Sequence, residues 1–157
     1  KTTPGLRIFE KYAFKCGGGV NHRMGLYDAA MIKENHIAWT DNLNNAVQKI
    51  RLNSPFTTHI IIEAENIEQA KEAVLAGADS VLLDELSPEI IKKNVQELRD
   101  LSINSLQKEV NKNLIIEVSG INPQEISKYL IKGIDLISTS SSITKSNWID
   151  LSMRYIN

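Results

Sequence analysis

Short apolar runs that stop at a polar residue alternate along this chain with amphipathic stretches of helical period. Five such runs are evident: residues 29–32 before Lys33, 60–62 before Glu63, 81–83 before Asp84, 114–118 before Ser119 and 136–137 before Ser138. They are brief and read as continuously apolar, so the expectation is short strands buried on both faces, as a parallel sheet under helices requires. The intervening segments carry helix punctuation. Asn66 with Gln69 suggests a capping box ahead of Ile67, Ala70 and Val74, and Gly77 sits where a left-handed cap is wanted. Ser87-Pro88 opens a helix with Ile91, Val95 and Leu98 on one face, and Asn122-Pro123 opens another that stops at Gly133. Leu6, Phe9, Ala13 and Cys16 mark an earlier helix, and Leu43, Ala46, Val47 and Ile50 a further one.

Ala76-Gly77-Ala78-Asp79 and Lys132-Gly133-Ile134-Asp135 repeat one helix-end, Gly, apolar, Asp sequence ahead of a strand, the sign of a βα unit used more than once. Regular βα alternation implies α/β architecture with a parallel sheet, open or closed into a barrel. A full eight-fold barrel takes roughly 200 to 250 residues, so the 157 residues here are expected to form one domain holding an incomplete TIM-like α/β barrel. The polar stretch 102–113 breaks the rhythm, as a helix extension or a surface loop. The chain opens on Lys1 and a Thr-Thr-Pro-Gly turn, and so reads as part of a longer polypeptide.

Charge changes the picture by exclusion. With 18 Lys plus Arg against 19 Asp plus Glu, the formal charge of -1 gives no footprint for nucleic acid or an anionic membrane. An anionic substrate must therefore be met locally. A single cysteine, Cys16, forms no internal disulfide, no spacing suggests structural zinc, and no apolar run spans a bilayer. A cytoplasmic location is the expectation.

In parallel βα folds, sites gather where strands end. Here the strand ends supply Lys33, Glu63, Asp84, Ser119-Gly120 and the Ser-Thr-Ser-Ser-Ser run 138–142. A cation, two carboxylates and two small-residue loops suit an anionic substrate, a divalent metal and a phosphate. Either carboxylate alone could be a helix N-terminal charge, and the Ser-rich run a merely polar loop. Both carboxylates together are less easily dismissed. His22-Arg23 lies in a loop that could simply be solvated, yet with Lys1 and Lys33 it offers four cationic or imidazole groups for one mouth. Gly17-Gly18-Gly19 lacks the Lys-Ser/Thr of a P-loop and is taken as a turn. His36, His59 and Cys16 are read as structural, His59 because it starts a strand, at the end opposite the expected site.

Three motifs carry a resemblance: Lys1-Thr2-Thr3-Pro4-Gly5-Leu6-Arg7, residues 17–26 (Gly-Gly-Gly-Val-Asn-His-Arg-Met-Gly-Leu), and Met31-Ile32-Lys33-Glu34-Asn35-His36. The similarity continues through Leu83-Asp84 and Val118-Ser119-Gly120 to Asp150-Leu151-Ser152, essentially the whole chain. In these residues the chain resembles the quinolinate phosphoribosyltransferase family. The resemblance implies an open α/β barrel following an N-terminal α/β domain that this chain lacks. It implies homodimers or higher assemblies in which a neighbouring subunit supplies an arginine, and the family motif places a further Arg immediately before Lys1, so that the isolated chain, lacking both, should be inactive. By position it makes His22, Arg23 and Lys33 quinolinate ligands and places Lys1 at the junction with the phosphoribosyl group. It places Glu63 and Asp84 near the ribose hydroxyls and Mg2+, with Lys1, Glu63 and Asp84 as the catalytic set. Ser119, Gly120, Thr139, Ser140 and Ser141 match the 5′-phosphate region. Two departures stand out: Ile121 where many members carry a second Gly or an Asn, and Ser140 where a Gly is usual.

The implied reaction joins quinolinate to phosphoribosyl pyrophosphate (PRPP), giving nicotinate mononucleotide, pyrophosphate and CO2 in NAD biosynthesis. Two rivals share the scaffold. One is a sister phosphoribosyltransferase with another acceptor, such as the paralogue of molybdenum-transport operons; His22-Arg23 with Lys33 favours quinolinate. The other is a non-catalytic phosphosugar-binding module, against which the pairing of Glu63 with Asp84 argues.

Overall fold

A computed structural model describes residues 1–40, 42–106, 113–147 and 149–156. Its sheet has five parallel strands: β1 (Ala30–Ile32), β2 (Ile60–Ala64), β3 (Ser80–Asp84), β4 (Ile115–Ser119) and β5 (Leu136–Ile137). They lie side by side in sequence order, so the sheet is open, with β1 and β5 at its edges. The helices are α1 (Arg7–Cys16), α2 (Glu34–Ala38), α3 (Leu43–Asn53), α4 (Ile67–Leu75), α5 (Pro88–Leu106) and α6 (Ser141–Thr144), with a 3₁₀ helix over Pro123–Tyr129. The described residues form two compact units, His22–Thr139, which holds the sheet, and Lys1–Asn21 with Ser140–Asn157.

Period-two geometry sends alternate strand residues to opposite faces of the sheet. One face is wholly apolar. Ile60, Ile62, Ala64, Val81, Leu83, Ile116 and Val118 are fully buried there, in one core with Val47 of α3, Val74 of α4 and Ile91, Val95 and Leu98 of α5. Burying each of the Ile, Leu and Val side chains contributes about 1.5–3 kcal/mol, so this layer holds the sheet to its helices. The other face departs from the expectation of continuous apolar strands. Ala29, Met31, Ile61 and Leu82 pack there as a small cluster, but Glu63, Ser80 and Glu117 share that face and are also buried.

At the N-terminal foot of the sheet, the repeated Gly-apolar-Asp sequence proves to be a repeated clip. The Asp79 carboxylate accepts the backbone N–H of Ile60 at 2.7 Å and pairs with Arg51 of α3 at 2.5 Å. The Asp135 carboxylate likewise accepts the N–H of Ile116 at 2.8 Å and pairs with Arg99 of α5. Each arginine also donates to the carbonyl of the matching glycine, Gly77 or Gly133. These glycines take φ of +85° and +99°, a conformation that costs an L side chain strain.

Helix boundaries follow the sequence signals in most places. Asn66 caps α4 by accepting the N–H of Gln69 at 2.9 Å, while the Gln69 side chain reaches back to Glu65. The helix expected from Asn122 to Gly133 is instead one 3₁₀ segment ending at Tyr129; Asn122 caps it, accepting from Gln124. Helices α2 and α6 had no apolar period to announce them. The stretch 102–113 begins as a helix extension, since α5 runs to Leu106, and residues 107–112 lie outside the described residues.

In the smaller unit, α1 forms where expected but buries none of its residues, and Phe9 of the supposed packing face is 71% exposed. Gly17 and Gly18 close the helix through N–H bonds to Ala13 and Lys15 carbonyls, the turn expected of the triple glycine.

Candidate active site

The polar face of the sheet assembles a row of side chains by register alone. Ile32 pairs with Ile62, Glu63 with Leu82, Leu82 with Glu117, and Glu117 with Leu136. Lys33, the next residue after β1, therefore stands beside Glu63, and its ammonium lies 2.5 Å from a Glu63 carboxylate oxygen. Its backbone is fixed as well, because the Lys33 N–H donates to Nδ1 of His36 at 3.0 Å as α2 begins. His36 is thus a local brace for Lys33.

At the C-terminal rim, Asp84 pairs in register with Ser119, and lies two residues beyond Leu82 on the face that carries Glu63. The following turn is tight. Glu85 has φ of +53°, and its N–H reaches the Ser119 carbonyl at 3.3 Å. Gly120 has φ of +77°, and a Cβ there would stand 2.7 Å from Cγ of Glu85. A side chain there would be strained at this φ and would require the Glu85 side chain to move. Ile121, one of the two departures, is buried in the main core at 3% exposure, so that position has gone to packing. Ser138 donates its N–H to Val118 at 2.8 Å, leading to Thr139 at the end of this unit. Ser140 and Ser141 belong to the smaller unit, where the Ser140 carbonyl accepts the N–H groups of Ile143 and Thr144 to open α6. Lys1 belongs there too, and is exposed.

A cleft of about 280 Å³ lies on the polar face, lined among others by His22, Arg23, His59, Ser80 and Glu117. The loop that supplies the first two is folded back by the Asp28 carboxylate, which accepts the Met24 N–H at 2.8 Å. Arg23 then lies along the start of β1, donating to the Ala29 carbonyl at 2.7 Å and touching Sδ of Met31 at 3.7 Å. Its own N–H donates to Nδ1 of His22 at 2.8 Å, and Nε2 of that ring stands 3.5 Å from a Glu117 oxygen. Nε2 of His59 and Oγ of Ser80 are 2.5 Å apart.

Burial works to raise the Glu117 pKa, but hydrogen bonds from His22 and Ser138 and the nearby charges of His22 and His59 outweigh it and hold the carboxyl below its ordinary value. Glu117 was passed over in the sequence. The signal was there: a charge in the middle of an apolar strand, on the same face as Glu63. His59, read as structural and remote, lines the same cleft as His22 and Arg23. The expected convergence of cations is also tempered, for Lys33 is countered by Glu63 and His22 by Glu117.

No group of three or more His, Cys, Asp or Glu among the described residues could enclose a metal. Two carboxylates on one face, Glu63 and Asp84, fit Mg2+ only in the manner in which that ion is usually bound, through one or two carboxylates with waters and substrate phosphates completing its shell.

The profile of the quinolinate phosphoribosyl transferase C-terminal domain matches residues 1–154. The chain belongs to that family. Among curated relatives, it is 42% identical to the probable nicotinate-nucleotide pyrophosphorylase (carboxylating) of Methanothermobacter thermautotrophicus, over 98% of this chain and 53% of that protein. It is 38% identical to the protein of the same name from Synechocystis, over 99% of this chain and 50% of the relative. The crystal structure of NadC from Streptococcus pyogenes superposes with a TM-score of 0.80 at 37% identity, covering 98% of this chain and 50% of that one. This quinolinate phosphoribosyl transferase domain thus spans about half the length of the curated relatives it matches. None of its described helices is long and apolar enough to cross a membrane.

Proposed function

We propose that the chain forms the barrel half of a phosphoribosyltransferase that converts quinolinate and PRPP into nicotinate mononucleotide, pyrophosphate and CO2. One observation carries most of the weight: a single sheet face brings Lys33 against Glu63, sets Asp84 on the same side, and borders a cleft holding His22 and Arg23. Cations for a dicarboxylate thereby neighbour carboxylates for a ribose and a metal.

The chemistry follows from the substrates. The pyridine nitrogen attacks the anomeric carbon while the bond to pyrophosphate breaks, and the sugar passes through a state with oxocarbenium character that the Glu63 and Asp84 carboxylates stabilise. Glu63 and Asp84 would hold Mg2+, which would supply charge neutralisation for the pyrophosphate leaving group. Arg23 and Lys33 grip the carboxylates of quinolinate and fix the ring, with His22 beside them. Much of the acceleration is then positioning. Once alkylated, the nitrogen is cationic. The bond from the ring to the neighbouring carboxylate breaks, CO2 leaves, the electron pair remains on carbon beside N+, and a proton from solvent replaces it. Lys1 at the sugar junction and Ser119, Gly120, Thr139, Ser140 and Ser141 at the 5′-phosphate complete the proposal by position. So do a homodimer or larger assembly whose neighbouring subunit adds an arginine, and a cytoplasmic setting.

The test is to incubate the full-length protein with PRPP, Mg2+ and either quinolinate or nicotinate, and to quantify nicotinate mononucleotide and CO2. Product and gas from quinolinate alone support the reading, and no turnover with quinolinate overturns it. Arg23→Ala should raise the quinolinate KM sharply, and an unchanged KM would remove Arg23 from the acceptor site.

A further inference from the structure

We propose that Glu117 is a positioning residue for the acceptor half of the site, acting through the ring of His22. This role rests on the quinolinate chemistry proposed above and assigns a residue which that chemistry did not use. Glu117 sits mid-strand in β4 at 3% exposure, facing the cleft. A carboxylate so buried is costly unless it is paired and hydrogen-bonded. Here the partner is an imidazole, with Nε2 of His22 at 3.5 Å.

The other ring nitrogen decides what that partnership does. Nδ1 of His22 accepts the backbone N–H of Arg23, so in the neutral ring the proton resides on Nε2, facing Glu117. A carboxylate behind a histidine in this way fixes its tautomer and its orientation, the service that outer carboxylates render to metal-binding histidines. The consequence extends one residue further along the chain. The ring anchored by Glu117 is the acceptor for the N–H of Arg23, whose guanidinium lies on the Ala29 carbonyl and Met31. Glu117 thus braces the His22 ring directly and, through that ring, the backbone of Arg23. Lys33, braced separately by His36 and Glu63, does not depend on it.

Steady-state kinetics of the full-length protein test this, with quinolinate and PRPP varied in turn. Glu117→Gln keeps the shape and removes the charge; it should raise the quinolinate KM about tenfold, the lower end of what loss of an orienting partner costs, with the PRPP KM unmoved. In His22→Ala the path is already cut, so adding Glu117→Gln should cost little more. Penalties that simply add, or equal rises in both KM values, overturn the role. A second measurement needs no variant: histidine side-chain 15N shifts of the wild-type protein should report His22 protonated on Nε2, and the Nδ1 tautomer would contradict the proposal. Wild-type protein that makes no product from quinolinate overturns the acceptor chemistry and this role with it. Wild-type turnover combined with an unmoved quinolinate KM in Glu117→Gln overturns the role alone.

Discussion

The two faces of the sheet obey different rules. Toward the helices, every inward position of β2, β3 and β4 is aliphatic and fully buried, and it touches other aliphatic side chains. Toward the cleft, the same strands contribute Glu63, Ser80, Asp84, Glu117 and Ser119 between Ile61, Leu82 and Ile115. The helix face needs only volume and hydrophobicity, which many residues satisfy. The cleft face holds buried carboxylates whose cost is offset by specific partners, Lys33 and His22. Stability and chemistry are thus separated by the thickness of one strand, and the pleat does the separating.

Substitutions in the full-length protein test that contrast directly. The largest effect should come from the helix face: Leu83→Ala removes a fully buried side chain and should cost about 3 kcal/mol in urea denaturation, while turnover per folded molecule is unchanged. Equal loss of turnover would mean that the faces are not independent. The foot clips come next. Asp79→Ala strips a buried acceptor from the Ile60 N–H and from Arg51, an expected loss of about 2 kcal/mol. Asp135, whose side chain is 44% exposed in the equivalent clip, should cost less than about 1 kcal/mol; equal losses would show that burial does not set the difference.

The smallest effect concerns acid. Because the folded protein holds the Glu117 carboxyl below its ordinary value of 4.5, its ionisation contributes stability above that pH and loses it as pH falls through the folded value. Glu117→Gln should therefore be less stable at neutral pH, and its acid denaturation curve should be flatter below about 4.5. A curve parallel to the wild type would remove that coupling.

Much of this arrangement was legible in the residues. Capped helices and apolar runs placed β1 to β5 within a residue or two, because caps and period are local signals. The strand-end rule isolated Lys33, Glu63 and Asp84, two of which pair directly. What escaped needed more than one strand to see. Glu117 was absorbed into a run judged apolar, since its importance comes from sharing a face with Glu63 and a cleft with His22, which only register reveals. His59 was assigned by its place along a strand, while the loop at 22–28 folds back toward the foot of the sheet and brings His22 and Arg23 into its cleft. The α1 pattern predicted the helix correctly but said nothing about what would cover it.

The strand order has a consequence for how such a chain is made. Since each strand lies against the one synthesised just before it, every pairing can close as soon as its second strand emerges, and none waits for a distant segment. Each pairing closes over a single crossover rather than across the whole chain, so the sheet can be extended one strand at a time. Growth on the ribosome can proceed like bricklaying, each course resting on the last, with the clips at Asp79 and Asp135 as mortar set at the base of the new strand.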